Sequence, residues 1–374
     1  MIPPVNHQAP ISTAHAVNAS NRYGWDYEAA AAAFTRLPYP IIDVHSHING
    51  GEAASIYARA ARLYGIGLTY SMTHLDQVDS VRAVLGDRIR FIAVPDYMSK
   101  DRRHAMGAGF LERIEQYHAL GSRIVKFWNA PRAIDTAREF GFTDYAQLDA
   151  PHRIDAMNLA SGLGMIFMTH VGDPDTWFAT KYADASIYGT KASHYVALER
   201  LLDRFTQPWI AAHLGGWPEN LDFLIGLLER HPNLFLDASA TKWIVREVSG
   251  HPRNEITEFL ARFSERVMFG SDIVTSDEHL VIKQDKNEMT SKASTRNEAF
   301  DLYASRYWAL RTLWETGWAG ESPIADPDLK LVDPARHGEM DAPLLEGKSL
   351  PPDLLRTFYH DAADALLEPL NSRS

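Results

Sequence analysis

The chain has 374 residues, 45% of them hydrophobic and 23% charged, with a formal net charge of -11 and no cysteine. Such a length buries a substantial core, either as two average domains or as one large barrel with insertions. The acidic balance gives no general attraction to nucleic acid or anionic membranes, and the lack of cysteine excludes disulfides, thiolate nucleophiles and thiolate metal ligands.

Residues 1–39 are rich in Pro, Ala, Asn and Ser, with one Ala-rich helical patch at 27–36, and read as an N-terminal arm packed on, or capping, the rest of the chain. Eight apolar strand-like runs come next: "YPIIDVH" (39–45), "GLTYSM" (67–72), "RFIAVPD" (90–96), "RIVKFW" (123–128), "GMIFMTH" (164–170), "PWIAAH" (208–213), "NLFLDAS" (233–239) and "RVMFGSD" (266–272). Helix-length segments separate them, such as 109–121 and 220–232, the latter with apolar residues at three-and-four spacing and a His-Pro stop. The alternation predicts an α/β protein, a (β/α)8 TIM barrel forming a single domain over 40–374. An open doubly wound sheet ranks second, because the first run leads into "HSHINGGEA" rather than a Gly-rich phosphate turn. Segments 129–154, 172–195 and 273–305 exceed simple turns and are expected as βα-loop insertions on the carboxyl-end face. A Pro- and acid-rich stretch, 318–350, and a last helix at 352–370 form a C-terminal extension. No apolar stretch approaches the length of a membrane span, and the first thirty residues lack a basic start followed by an apolar core. A cytoplasmic enzyme acting on a small molecule, with a homo-oligomer left open, is the corresponding expectation.

On a strand, Asp43, His45 and His47 project the same way. One His-X-His is often only a solvated pair, but four runs end in His or Asp: His45 with His47, His170, His213 and Asp272. In a closed parallel barrel all carboxyl ends open onto one rim, so the five side chains converge there. Imidazole and carboxylate suit a divalent metal, zinc first, with manganese, iron or nickel as alternatives.

The motifs "IDVHSHI", "THVGDP", "AHLGG" and "FGSD" resemble the amidohydrolase superfamily, and more narrowly its amidohydrolase-related branch of metal-dependent hydrolases and decarboxylases. The resemblance implies that His45, His47, His170 and Asp272 hold the metal, with His213 beside it as a polarising or proton-transferring group, or as a ligand of a second metal where one exists. Asp272 would act as base and then acid, and His213 would donate to a developing oxyanion. Lys126 shares a face with Trp128 and Ile124. It is expected as a cation for an anionic substrate group or as a support to the site, giving one ion, or as a carboxylated bridge, giving two. A Schiff-base role and an outward, snorkelling position are the lesser alternatives. Asp43 would orient a ligand or bond to backbone. Trp128, Asp173, Trp177, Trp217, Trp243 and Arg246 are candidates for substrate contact, and His74 and Asp96 are left unassigned near the rim. The expected activity is hydrolysis of an amide, ester or lactone of a small carboxylated or cyclic substrate by a metal-activated water. The alternative is non-oxidative decarboxylation of an aromatic or unsaturated acid; a non-enzymatic binding protein carries little weight.

Overall fold

The computed structural model describes residues 10–11 and 15–372. Of the expected arm, residues 1–9 and 12–14 lie outside the described residues, as do 373–374. Parallel strands β1 (Ile41–His47), β2 (Ile66–Ser71), β3 (Ile89–Ala93), β4 (Ile124–Trp128), β5 (Ile166–His170), β6 (Trp209–Ala211), β7 (Leu234–Asp237), β8 (Val267–Met268) and β9 (Ile273–Val274) form one sheet. Their order is β8-β7-β6-β5-β4-β3-β2-β1-β9. The strand run expected at 266–272 is broken: β8 keeps its start, and β9 resumes just past its end. The ladder is open between β8 and β1, yet the chain itself joins the two edges. Between β8 and β9, Val44 N–H donates to Phe269 O at 3.0 Å and Asp272 N–H donates to His45 O at 2.8 Å. The arrangement alternates strand and helix as in a (β/α)8 barrel.

The helices that matter for the site are α1 (Tyr27–Ala31), α2 (Gly51–Leu63), α3 (Val78–Leu85), α4 (Ala108–Ala119), α5 (Pro151–Gly162), α6 (Ser193–Arg204), α7 (Leu221–Arg230), α8 (Thr241–Gly250), α9 (Arg253–Arg262), α10 (Arg296–Glu315) and α11 (Ala362–Asn371). In α7 the buried face is Leu221, Leu224, Leu227 and Leu228, and Asn220 caps the start by accepting from Phe223 N–H at 3.0 Å. Each fully buried Leu contributes roughly 1.5–3 kcal/mol.

Three boundaries depart from the sequence reading. The Ala-rich patch at 27–36 is helical only through Ala31. The third insertion stops short of 305, because Thr295 accepts from Glu298 N–H at 3.2 Å and starts α10 there. The last helix carries a π-helical turn at Thr357–Asp361. α10 is buried along most of its length because the barrel covers one side and the N-terminal segment another. Trp25 packs its ring 5.1 Å from that of Trp308, and Asn21 Nδ2 donates to Asp301 Oδ2 at 3.0 Å. The extension adds an antiparallel pair, β10 (Ala319–Glu321) with β11 (Leu344–Glu346). No helix among the described residues is long and apolar enough to cross a membrane.

Candidate active site

The carboxyl ends of the strands enclose a cavity of about 500 Å³, lined among others by His45, His47, Lys126, Trp128, His170, His213 and Asp272. Non-glycine residues take left-handed backbone angles at three of these ends: His213 at φ 59°, Ala240 at φ 75° and Asp272 at φ 58°. Such angles are costly for residues with a Cβ, and they re-aim the chain at the rim. Gly270 is glycine for a steric reason. A Cβ there would lie 3.0 Å from both His45 Cβ and Ser239 Cβ, so a side chain would push the eighth strand off the first.

Asp237, at the end of β7, organises the histidines. It accepts from His45 Nδ1–H at 2.8 Å, from the backbone N–H groups of His213 and Ser239 at 3.1 Å each, and from the Ser239 hydroxyl. Because the single Ser239 hydroxyl proton goes to Asp237, Ser239 Oγ accepts from His213 Nδ1–H at 2.7 Å. Burial holds the pKa of both imidazoles below the ordinary value, helped by Lys126 for His45 and by His170 for His213. Each is therefore neutral at pH 7, with its proton on Nδ1 and its lone pair on Nε2. Burial would raise the Asp237 carboxyl, but its electrostatic attraction to His45 and the hydrogen bond between them outweigh it and leave the pKa below the usual range.

His45 Nε2 lies 3.5 Å from Asp272 Oδ1, and His47 Nε2 lies 3.3 Å from the same oxygen. Burial opposes ionisation of Asp272, but the hydrogen bond from His47 and, in the acid range where the carboxyl would titrate, the positive charge of protonated His213 and His45 hold its pKa below the carboxylate range. A lone pair on His45 Nε2 thus faces an ionised oxygen with no proton between them, an arrangement that calls for a cation. Two ligands about 2.1 Å from a tetrahedral ion stand roughly 3.4 Å apart, so the spacing suits one. The donor atoms of His45, His47 and Asp272 lie within 4.8 Å of one another, as do those of His45, His213 and Asp237. These residues fit a divalent metal.

His170 stands beside this group, its ring 4.6 Å from that of His213, with Nε2 directed to Asp173 Oδ1 at 2.9 Å. Asp173 also accepts from Tyr182 O–H at 2.9 Å. Lys126 points inward, and does not snorkel: its Nζ is buried without a hydrogen-bond partner. Burial pushes its pKa down to about 8, against the opposing pull of Asp237 and Asp272. Trp128 lines the cavity, 6.5 Å from the His170 ring. Asp43 accepts from Ser271 Oγ–H at 2.6 Å and Tyr307 O–H at 2.8 Å, which anchors the segment leading to Asp272.

Several expected substrate contacts stand elsewhere. Trp177 donates from Nε1 to Asp328 at 2.6 Å, and Trp217 packs on Phe223 at 4.6 Å. Arg246 is bound to Asp326, Glu247 and Thr176. Their polar or aromatic surfaces are already satisfied, and none of the three lines the cavity. Trp243 lies 5.4 Å from His213, and Asp96 pairs with Arg113 at 3.0 Å. His74 stands outside the lining, its backbone N–H donating to Asn49 Oδ1. The sequence reading missed Asp237 and Ser239. The signal was present, since the run "NLFLDAS" also places an acid at a strand end.

The chain belongs to the amidohydrolase family, whose model matches residues 52–368. It is an enzyme of amidohydrolase type. The match begins after β1, so the His45–His47 pair precedes it. No curated protein matches the chain. Among solved structures, it is similar to an amidohydrolase from Burkholderia multivorans with bound zinc, at 12% identity, covering 88% of this chain and 99% of that one, with a TM-score of 0.43. It is also similar to 5-carboxyvanillate decarboxylase from Novosphingobium aromaticivorans complexed with manganese and 4-hydroxy-3-methoxy-5-nitrobenzoic acid. That match has 11% identity, covers 88% of this chain and 96% of that one, and has a TM-score of 0.35.

Proposed function

We propose that the chain is a metal-dependent hydrolase that directs water onto an amide, ester or lactone of a small organic substrate. The observation that carries this reading is the pair of imidazole nitrogens, His45 Nε2 and His47 Nε2, turned onto one ionised oxygen of Asp272. His45, His47 and Asp272, joined by His170, would hold a single divalent ion. Zinc suits this set, with manganese, iron or nickel as alternatives. Such an ion supplies an electrophile for a carbonyl oxygen and acidifies water toward neutrality.

The chain's own groups do the rest. Asp272, kept ionised at the cavity edge, accepts a proton from water and returns it to the leaving group. His213 presents a lone pair at Nε2, so it serves first as an acceptor of a proton and only then as a donor, which is the proton-transferring role among those expected of it. Lys126 aims an unpaired ammonium into the cavity, where negative charge on a substrate oxygen would be its partner.

The test combines elemental analysis of protein purified without chelator with assays on both reaction classes. About one divalent metal per chain is expected, together with hydrolytic turnover. Asp272→Ala should lose turnover by about 10²–10⁴-fold from the proton transfer alone. Its metal content should fall as well, while the fold survives. Carbon dioxide release from a carboxylated aromatic, with no hydrolysis of amides, esters or lactones, would replace this reading with decarboxylation.

A further inference from the structure

Beside the metal-site cavity lies a second one of about 130 Å³, and the two share Asp272, Val274 and Met289. Lys242, Lys292 and Arg306 line it. In a chain of net charge -11, three cations around one small space are a departure from the average. Among the described residues none of the three has an ion-pair partner. Lys292 Nζ meets only Met289 Sδ, at 3.3 Å, and Arg306 Nη1 donates to Leu302 O at 2.6 Å.

The acids whose charge reaches Lys242 are spent elsewhere: Asp326 is bound by Arg246, and Asp328 by Trp177 and Lys181. Glu288 acts on both lysines without reaching ion-pair distance. Burial and the mutual repulsion of the three cations push Lys292 down to about 8, and burial pushes Arg306 down to about 10. Asp272, on the same cavity wall, offsets part of this charge on Lys292 and Arg306, but three cations face one carboxylate that His47 already engages, so the cavity stays cationic.

The backbone adds to it. Residues Ala240 to Trp243 line the same cavity, and they are the start of α8, whose first turn has no side-chain cap. Uncapped N–H groups at a ten-residue helix start add partial positive charge and hydrogen-bond donors. Barrels often build an anion site from the loops after strands seven and eight with the start of an extra helix, which is the composition here.

The geometry points to a compact oxyanion, a carboxylate or phosphate carried by the substrate, seated between Lys242, Lys292, Arg306 and the start of α8, next to the reacting centre. This rests on the hydrolase reading for the identity of the reacting centre, and it makes the substrate an organic acid or a phosphate ester.

The test is calorimetric titration of the metal-loaded enzyme with succinate and, separately, with inorganic phosphate, in the wild type and in Lys242→Met, Lys292→Met and the double variant. Both lysines are partly exposed, so the variants should fold, and melting curves check this. The expected result is at least a tenfold loss of affinity for one anion in the double variant, with metal content unchanged. Tighter wild-type binding of succinate assigns a carboxylate, and of phosphate a phosphate ester. Equal affinity in wild type and double variant, or no binding of either anion, overturns the proposal. Should the wild type take up no metal while anion binding still depends on the lysines, the hydrolase reading falls and the anion pocket stands.

Discussion

Strands β4, β5 and β6 have two faces of opposite character. Outward, Phe127, Phe167 and Trp209 form a continuous aromatic stack, with ring centroids 5.6 Å apart for Phe127–Phe167 and 4.8 Å for Phe167–Trp209. Phe110 of α4 and Phe205 after α6 close it from the helix layer, at 6.0 and 5.6 Å. Edge-on geometry of this kind adds to the large area each ring buries. Inward, β4 carries Lys126, a buried ammonium with no partner, and Trp128 on either side of Phe127, and β5 carries His170 three residues past Phe167. Two residues apart share a face and adjacent residues do not, so a single strand can serve both ends. Stability is thus concentrated outside the sheet and chemistry inside it, and the outer stack lets the inner face hold groups that destabilise it.

The sharpest way to break this division is Phe167→Ala. Removing the ring that joins Phe127, Phe205 and Trp209 should cost about 3–5 kcal/mol of stability. Chemical denaturation measures that, and metal content per folded chain should not change. Loss of metal at full stability would mean that the outer face positions the site directly.

Asp237→Asn is the converse. It leaves volume nearly unchanged but weakens the acceptor that fixes the tautomers of His45 and, through Ser239, His213. Metal affinity should fall about 10–100-fold. Competition with a chelator of known affinity reads it, and the aromatic stack predicts little change in unfolding midpoint.

The sequence made the barrel legible because period-two runs alternate with amphipathic helices, and because polar residues at strand ends share one rim. Asp43, His45, His47 and Asp272 could be placed this way, since strand alternation and a common end determine where they point. The break in the eighth strand could not, because it depends on Asp272 adopting a left-handed backbone under the demands of its neighbours. Trp177, Trp217 and Arg246 were misplaced for a related reason. They lie in or after insertions and segments whose course is set by partners remote in sequence, such as Asp326 and Asp328. The cluster of Lys242, Lys292 and Arg306 was equally invisible, being assembled from α8, the loop before α10, and α10 itself.

Lys126→Met tests the cost of the inner face directly. An unsatisfied buried polar group costs about 1–3 kcal/mol, so replacing it by an apolar chain of similar length should raise stability by that order. Turnover should fall at the same time. A variant that is less stable than the wild type would show that Lys126 has a structural partner and is not a group reserved for substrate.

The smallest expected effect concerns a titratable group on the helix side of β4. His152, near the start of α5, sets its ring 4.9 Å from that of Phe142. Burial, and then the positive charge of Arg153, push its pKa down to about 4 from 6.5. Between those values the unfolded chain binds the proton and the folded chain does not, so stability rises with pH across the window. The contribution is fully present above about pH 6.5 and is lost as pH falls toward 4. His152→Leu should therefore flatten the acid side of the melting-temperature profile between about pH 4 and 6.5, by a few degrees at most, with no effect on metal content. Identical slopes in the two proteins would mean that His152 keeps an ordinary pKa, and that the aromatic layer around it is wetter than its packing implies.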